Sequence, residues 1–298
     1  MTDKLLVTGA SGRLGQAVIR HLLDTLSVDP ARIVAASRTP EKQATMAEKG
    51  IETRRIDFDD PEATAGALTG IGRMLLISTD ALGEPGKRLS QHKAAVAAAK
   101  QAGVGHVVYT SMPNPEDSLI PFAPDHLGTE QALAESGLGW TVLRNGWYME
   151  NLFMSLPGAV ASGQWVSAAG GGKLAHIALD DCARAAATAL ADGVTANRLL
   201  TLTGSQARGT SEIAALVSTL TGQKIDVVSV SDDALRQGMI AHGVPEILAP
   251  IFASFDANTR EGKIAMVTND FETLTGAKPR ALEDFLTAGK GALLARAA

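Results

Sequence analysis

Cysteine is almost absent from this sequence: Cys182 is the single one among 298 residues. A lone thiol cannot close an internal disulfide or build a cysteine-based metal cluster. Its alanine-rich surroundings indicate a small residue in the core of a helix. We therefore predict neither a metal site nor a catalytic thiol.

Long apolar runs and basic tracts are absent as well. No run approaches the length that a bilayer-spanning helix needs, so we expect no membrane segment. Acidic and basic residues are interspersed and leave a net charge of −5, without the basic patch of a nucleic-acid-binding protein, so no nucleic-acid partner is expected. The N-terminal residues lack the charge, apolar stretch and cleavage site of a signal peptide, which predicts a cytoplasmic location.

Aromatic residues are scarce, at 4%, although hydrophobic residues make up 45% of the chain. Ala, Val, Ile and Leu carry the apolar content, which favours helices packed on a parallel sheet over an all-β sandwich. The length of 298 residues allows one large α/β domain, or a nucleotide-binding domain with a smaller appendage.

The first half of the chain alternates short apolar runs with helical patterns. Strands separated by helices predict a parallel sheet with right-handed crossovers, the doubly wound sheet of Rossmann type. We expect this α/β domain to span residues 1–146. The six predicted strands are residues 4–8, 33–37, 51–56, 74–78, 106–110 and 140–144.

Residues 147–298 are less regular and mix helical and strand patterns, which predicts a smaller α+β C-terminal substrate domain. Asp180 or Asp181 is expected to cap a helix, and Pro157 should interrupt the helical pattern of residues 147–162. No low-complexity linker precedes this part. It should therefore pack on the first domain, which leaves open a return of some segments to that domain.

A glycine-rich loop joins the first predicted strand to the first helix. Gly9 permits a tight turn, Gly12 lets the backbone approach a phosphate, and Gly15 lets the helix pack on the sheet. The start of the helix adds unpaired N–H groups and the positive end of the helix dipole. The loop is predicted to hold the pyrophosphate of a dinucleotide through Gly9, Ala10, Ser11, Gly12, Arg13, Leu14 and Gly15.

The end of the second strand distinguishes the two nicotinamide cofactors. NAD sites usually place an acidic residue there for the ribose 2′-hydroxyl, whereas this sequence has Ser37-Arg38-Thr39. Arg38 can pair with a 2′-phosphate, and Arg13 and Lys42 are further candidates for the same role. The pattern predicts NADP(H).

Two further strand ends are expected beside the cofactor, because ligands of doubly wound folds bind at the carboxyl ends of the strands. Asp57 and Phe58 follow the third strand and would lie beside the adenine. Ser78 and Thr79 follow the fourth strand and would lie beside the nicotinamide ribose. For each pair, the alternative is a plain role at the end of a strand.

Many reductases of this fold use a tyrosine four residues before a lysine, and this pair is missing. Neither Tyr109 nor Tyr148 is followed by a lysine at that spacing. The helix after the fifth strand carries His126 and Glu130 on one face. His126 is a candidate to hold the nicotinamide ribose or to donate a proton, and the alternative is a surface residue at the start of a helix.

A cluster of aromatic and polar residues follows the sixth strand, at residues 144–151. Trp147 and Tyr148 could form the walls for a flat aromatic substrate. Asn145 could hydrogen-bond the nicotinamide or a substrate carbonyl, and Asn145 or Tyr148 could stabilise a developing oxyanion. The alternative is aromatic packing between the two domains.

These segments resemble the NmrA-like branch of the atypical short-chain dehydrogenases, and within it the bacterial NADPH:quinone oxidoreductases of type 2 and the triphenylmethane reductases. The resemblance implies a Rossmann domain, a C-terminal substrate domain, NADPH as hydride donor, and Ser111 among the cofactor-binding residues. It rests on residues 8–15, the strand ending in Arg38, Tyr109-Thr110-Ser111, His126 with Glu130, and most specifically Leu143-Arg144-Asn145-Gly146-Trp147-Tyr148-Met149-Glu150-Asn151.

The resemblance implies a reductase that transfers hydride from NADPH to a quinone-like or other flat electrophile. Asn145, Tyr148 and His126 are then the candidate catalytic residues. Because some NmrA-like proteins bind dinucleotides as redox sensors, a non-catalytic NADP(H) sensor is one alternative, and a reductase of carbonyl, imine or dye substrates is another. The alanine-rich helix predicted over residues 87–102 is a candidate surface for a homodimer.

Overall fold

The computed structural model describes residues 4–295, with every side chain in that range except that of residue 42. The first three residues of the predicted N-terminal domain and the last three of the predicted C-terminal domain therefore lie outside the described part. The strands of the described part are β1 Lys4–Val7, β2 Ile33–Ser37, β3 Glu52–Arg55, β4 Ile71–Leu76, β5 His106–Ser111, β6 Gly139–Asn145, β7 Gln164–Ser167, β8 Lys173–Leu174, β9 Arg198–Leu202, β10 Arg208–Gly209 and β11 Asp226–Ser229.

Helices connect and cover these strands. A π-helical turn, His21–Thr25, continues the first helix. The α-helices of the described part are α1 Arg13–Arg20, α2 Ala44–Glu48, α3 Pro61–Ala67, α4 Lys87–Gln101, α5 Ala123–Ser136, α6 Leu156–Ser162, α7 Leu179–Ala191, α8 Thr210–Thr221, α9 Asp232–Ala241, α10 Ala249–Arg260, α11 Asp270–Thr275, α12 Leu282–Ala288 and α13 Lys290–Leu294. None of these helices combines the length and the hydropathy needed to cross a membrane.

The main sheet contains seven parallel strands in the order β3-β2-β1-β4-β5-β6-β9. Helices cover both of its faces, which is why β2 and β5 are buried along their whole length. The order of the strands reverses beside β1, where Leu5 pairs with Ile33 on one side and with Arg73 on the other. This confirms the predicted α/β fold of Rossmann type, and it places the ligand-binding crevice at the carboxyl ends of β1 and β4.

Two apolar cores flank the sheet, one on each face. On one face the sheet packs against α1 and α7, around Leu22 and Cys182. On the other face it packs against α4 and α5, around Val96 and Leu133. Cys182 is fully buried among the alanines of α7, as the sequence predicts.

The sheet has one strand more than the six predicted from the first half of the chain. The sequence of Arg198–Leu202 has the pattern of a strand, but it does not indicate where this strand lies in the sheet. It pairs with β6, from Thr141 opposite Arg198 to Asn145 opposite Leu202. Because residues 146–197 separate the two strands, no local pattern indicates that they are neighbours. The remaining C-terminal segments bury a core of their own, around Leu156, Val217 and Leu286.

The predicted cap of α7 was wrong, whereas the predicted break at Pro157 is confirmed. Helix α7 begins at Leu179 with Ala178 as its N-cap, and Asp180 and Asp181 lie inside its first turn. Carboxylates there interact favourably with the positive end of the helix dipole, but they do not cap the helix. Pro157 lies in the first turn of α6, directly after the 3-10 turn Met149–Met154.

Candidate active site

The glycine loop lies at the switch point of the sheet and is held by its own backbone. Gly9 has a φ of +58°, a conformation that residues with a side chain rarely adopt. The N–H of Ala10 donates to the carbonyl of Ala36 at 3.1 Å, and the N–H of Gly12 donates to the carbonyl of Gly9 at 2.9 Å. The loop is therefore a fixed turn that leaves Ser11 and Gly12 exposed.

Gly15 is required by a close approach of two backbone segments. A Cβ atom at this position would lie 2.4 Å from the carbonyl oxygen of Gly9 and 2.8 Å from Cα of Ala10. At Gly12 the same oxygen would be 3.3 Å away. Helix α1 begins at Arg13 without a side-chain cap, so its first N–H groups face the loop opening. This arrangement suits a bound pyrophosphate.

Two arginines near the loop are exposed. The side chain of Arg38 is 69% exposed at the end of β2, and the nearest carboxylate, that of Asp80, is 3.8 Å away. Arg13 is exposed at the start of α1. Both cations are available for a 2′-phosphate, whereas the side chain of Lys42 lies outside the described part.

The end of β3 is partly engaged with protein groups. The carboxylate of Asp57 accepts the N–H of Asp59 at 3.2 Å and lies 3.4 Å from the guanidinium of Arg55. The ring of Phe58 is half-buried against the core that packs on α4. Both residues lie where the sequence places them, at a strand end on the ligand-binding edge.

The end of β4 is anchored by buried side chains. The N–H of Ser78 donates to Oγ1 of Thr110 at 2.9 Å, and the N–H of Thr79 donates to Nε2 of His92 at 2.9 Å. His92 is fully buried on α4, and burial lowers its pKa to about 3. The neutral imidazole is therefore an acceptor at Nε2 and a donor at Nδ1, which lies 2.9 Å from Oγ1 of Thr129.

His126 lies in the same buried network rather than at the surface. It is 4% exposed on α5. Its Nδ1 lies 2.9 Å from the hydroxyl oxygen of Tyr109, and its Nε2 lies 3.1 Å from the guanidinium of Arg88. Burial, reinforced by the charge of Arg88, holds its pKa well below the usual range. Both ring nitrogens of the neutral histidine thus have protein partners.

Ser111 and Glu130 belong to a second polar cluster. Oγ of Ser111 donates to Oε1 of Glu130 at 2.6 Å. The guanidinium of Arg144 binds both carboxylate oxygens of Glu130, at 3.0 and 2.7 Å. Such a bidentate pair fixes the orientation of both side chains, so this cluster ties the end of β6 to α5.

A mostly apolar pocket lies at the same edge of the sheet, after β5, β6 and β9. Trp147 forms part of its wall and contacts Phe255 of α10, with 4.1 Å between the ring centres. Phe255 in turn lies 6.2 Å from Phe122. The lining residues are Met112, Pro113, Ile120, Phe122, Asn145, Gly146, Trp147, Leu174, Ala175, Thr203, Ile264 and Met266.

Asn145 provides a buried hydrogen-bonding group in this pocket. Its Nδ2 donates to the hydroxyl oxygen of Tyr148 at 3.1 Å, while its Oδ1 is buried and has no partner among the described residues. An unsatisfied buried carbonyl oxygen is costly unless a ligand donates to it. The pocket therefore suits a flat apolar molecule with one polar group.

Tyr148 does not line the pocket. Its ring packs against the core of α1 and α7, and only its hydroxyl reaches toward the pocket, through Asn145. Burial raises the pKa of this hydroxyl well above its usual range. The tyrosine is therefore neutral and is placed to orient Asn145.

Sequence reasoning missed the side chains that close the pocket from other parts of the chain. Ile264 and Met266 come from the C-terminal part, and Met112 and Phe122 come from the loop after β5, whereas Phe255 contacts Trp147 without lining the pocket. No spacing in the sequence links them. The pair Arg88 and His92 on α4, four residues apart, was a readable signal for the buried network.

The model of the NmrA-like family matches residues 1–286 of this chain. Quinone oxidoreductase 2 of Escherichia coli (strain K12) is 36% identical to it over 258 residues, which are 87% of this chain and 88% of that protein.

Two solved structures share the fold over nearly the whole chain. The NADPH-dependent quinone oxidoreductase of Escherichia coli complexed with NADPH matches with a TM-score of 0.90 and 33% identity, covering 95% of this chain and 99% of that chain. The triphenylmethane reductase of Citrobacter sp. complexed with NADP(H) matches with a TM-score of 0.88 and 32% identity, covering 96% and 99%.

Proposed function

The chain belongs to the NmrA-like family, and on this premise we propose that it is an NADPH-dependent oxidoreductase that transfers hydride to quinone-like or other flat electrophiles. The proposal depends on one observation: an exposed glycine loop and an apolar pocket both lie at the carboxyl edge of the sheet, the loop after β1 and the pocket after β5, β6 and β9. Its relatives support the reaction class, because one is named a quinone oxidoreductase and both similar structures contain NADPH or NADP(H).

The residues at the switch point fit NADP(H), which supplies the hydride when it is bound. The left-handed turn at Gly9 and the close approach at Gly15 shape an open cradle for the pyrophosphate. The exposed guanidinium of Arg38, which forms only a long, exposed ion pair with Asp80, can bind the 2′-phosphate, and exposed Arg13 of the glycine loop is a second candidate. We assign Asp57 and Phe58 to the adenine, and Ser78, Thr79 and Ser111 to the nicotinamide side.

The pocket residues orient the acceptor and exclude water. We propose that Trp147 covers one face of the acceptor. Asn145 accepts a hydrogen bond from the nicotinamide amide, because its Oδ1 is otherwise unsatisfied and an amide N–H can donate to it. Tyr148 holds Asn145 in place through the contact of 3.1 Å. Fixed geometry of this kind lowers the barrier to hydride transfer without a protein acid.

Product protonation is assigned to water. A quinone that accepts hydride becomes a hydroquinone anion, which water can protonate, so the missing tyrosine and lysine pair is tolerable. We assign His126 a positioning role in place of proton donation, because its two nitrogens are engaged by Tyr109 and Arg88. In that role it holds α5 against β5.

Steady-state oxidation of NADPH with several acceptors tests the proposal. Menadione, malachite green and benzaldehyde represent the quinone, dye and carbonyl classes, and we expect menadione to be reduced. If NADPH binds but no acceptor is turned over, the proposal fails and the NADP(H) sensor is favoured. If only benzaldehyde is reduced, the acceptor class is wrong.

A homodimer and a cytoplasmic location both stay predictions. Helix α4 buries Ala95, Ala98 and Ala99 within its own chain, so a dimer through this helix would use its exposed side, with Lys93 and Ala97. Light scattering of the purified protein would test the dimer.

A further inference from the structure

Arg88 is a buried cation that forms no ion pair with a carboxylate of residues 4–295. It lies in the first turn of α4 and is 6% exposed. Within the described part of the chain, its guanidinium makes one hydrogen bond, to Nε2 of His126 at 3.1 Å, and its Nε atom has no partner. Asp80 and Asp125 act on it only at longer range, without forming an ion pair.

The neighbours of Arg88 do not neutralise it. His126 and His92 are uncharged because burial keeps their pKa values low, and the deeply buried hydroxyl of Tyr109 has a raised pKa. Burial also lowers the pKa of Arg88, but a guanidinium keeps its proton in proteins. The positive charge thus lies in a region of low dielectric, where the more distant carboxylates of Asp80 and Asp125 oppose it only in part.

A single aromatic ring separates this charge from the pocket. Cζ of Arg88 lies 5.1 Å from the centre of the Phe122 ring, and Phe122 lines the pocket. The Phe122 ring also lies 6.2 Å from the ring of Phe255. The contact with Phe122 is a cation–π interaction, so Arg88 also fixes the position of this wall.

We propose that Arg88 makes the pocket selective for acceptors that become anions on reduction, and that it disfavours acceptors that are cations. This inference rests on the proposed function and names its substrate class: neutral quinones, in preference to cationic dyes. Arg88 is then a specificity-determining residue that acts through its field, behind the wall formed by Phe122.

The charge balance of the two reactions explains the selectivity. A neutral quinone gains a hydride, which carries two electrons and one proton, and becomes a hydroquinone anion while NADPH becomes NADP⁺. A triphenylmethane cation gains the same hydride at its central carbon and becomes a neutral leuco dye. Relative to free reactants, a positive field therefore favours the transition state of the quinone and not that of the dye.

The test compares menadione with malachite green, at saturating NADPH, in the wild type and in Arg88→Met. We expect the ratio of kcat/KM for menadione to kcat/KM for malachite green to fall about tenfold in the variant. Loss of the charge should also lower KM and kcat for the dye together, because the bound cation is no longer repelled. Effects on NADPH binding or on folding cancel in the ratio.

Lys87→Met is the matched control. Lys87 precedes Arg88 on the same helix, but its side chain is 38% exposed and lies near Glu84 and Asp59. Removing this charge should leave the ratio within about twofold of the wild type, because an exposed charge is screened. An unchanged ratio in Arg88→Met, or an equal fall in both variants, would overturn the inference.

A binding measurement tests the proposed role of Arg88 independently of catalysis. Lawsone, a hydroxynaphthoquinone that is an anion at neutral pH, should bind the NADP⁺ complex of the wild type more tightly than neutral menadione does. Arg88→Met, or Arg88→Gln if the first variant does not fold, should remove this preference. Equal affinities in the wild type would contradict the inference, and absence of all turnover alongside a preference for lawsone would refute the proposed function alone.

Discussion

The glycine loop at residues 9–15, here called the cofactor end, and the apolar pocket, here called the acceptor end, are built from different kinds of chemical groups. The loop from Gly9 to Gly15 is contiguous backbone, partly exposed, and its shape depends on missing side chains. The pocket is made of side chains from segments as distant as Met112 and Met266, and its wall is aromatic and apolar. In the proposed function, one end binds the charged pyrophosphate of the cofactor, whereas the other end can vary with the acceptor.

This difference predicts which substitutions affect cofactor binding alone and which affect acceptor binding alone. Changes in the loop should affect cofactor binding and leave the shape of the pocket intact. Changes in the pocket should affect acceptors while the affinity for NADPH stays the same. A substitution that moves both properties together would break the comparison.

The largest effect is expected for Gly15→Ala. The added methyl group would lie 2.4 Å from a backbone oxygen, so the loop has to shift. We expect the Kd for NADPH to rise about a hundredfold, equivalent to ~3 kcal/mol, as measured by fluorescence titration. Gly158→Ala in α6 is the control, because a Cβ atom there meets nothing within 4 Å. An intact affinity in Gly15→Ala would show that the close approach is not required.

Arg38→Asp should follow, with an effect on cofactor choice. The side chain is exposed, so folding should not change. Loss of the cation and introduction of an anion should weaken NADPH relative to NADH by about thirtyfold. Titration of both cofactors measures the ratio, and Lys100→Asp, at the exposed far end of α4, is the control. An unchanged ratio would remove Arg38 from the 2′-phosphate site.

Trp147→Ala tests the acceptor end. The variant loses the ring that contacts Phe255 at 4.1 Å. We expect KM for menadione to rise about tenfold while the Kd for NADPH stays within about twofold. Trp140→Ala is the matched control, since Trp140 lies near the amino end of β6. A similar rise in KM in both variants would indicate general loosening of the fold.

The smallest effect on ligand binding is expected for the buried network around His92, which is tested through stability instead. His92 has a folded-state pKa of about 3, below its ordinary value of 6.5. Folding therefore favours the neutral form, and the associated stability is complete above pH ~6.5 and is lost as the pH falls toward ~3. In urea unfolding, His92→Gln should lose about 1 kcal/mol less per pH unit than the wild type over that window.

Glutamine can accept from Thr79 and donate to Thr129 as the histidine does, so the network should survive in His92→Gln. His106, at the amino end of β5, has a pKa of about 4 for the same reason of burial. It titrates away from the cleft, so His106→Gln should change the pH dependence of stability without changing cofactor affinity. Equal slopes in wild type and His92→Gln would mean that the imidazole of His92 is protonated more easily than its burial implies.

The shape of the glycine loop was predictable because it is set by a local pattern, and its assignment to the cofactor stays a prediction. A short strand, three spaced glycines and a helix start suffice to define the loop, and the absence of an acid after β2 is a single-position signal. The sheet was predictable for the same reason, apart from β9. The resemblance to the NmrA-like family, read from the segment around Asn145, is confirmed.

The acceptor end was less predictable because its chemistry depends on long-range packing. Trp147 was expected in the wall and lines it, but Phe255 approaches from α10, a helix far along the chain. Tyr148 turns into the core and reaches the pocket only through Asn145. His126 could be read as exposed or functional from sequence, and the structure gives it buried partners that spacing alone does not reveal.

The central claim is that the loop and the pocket bring a hydride donor and a flat acceptor together. A single-turnover experiment tests it most directly. The protein is saturated with one equivalent of NADPH without oxygen and mixed rapidly with menadione, while the absorbance of the reduced nicotinamide is followed. The account predicts complete oxidation of the bound NADPH with formation of one equivalent of hydroquinone. Bound NADPH that persists unchanged in the presence of menadione would contradict it.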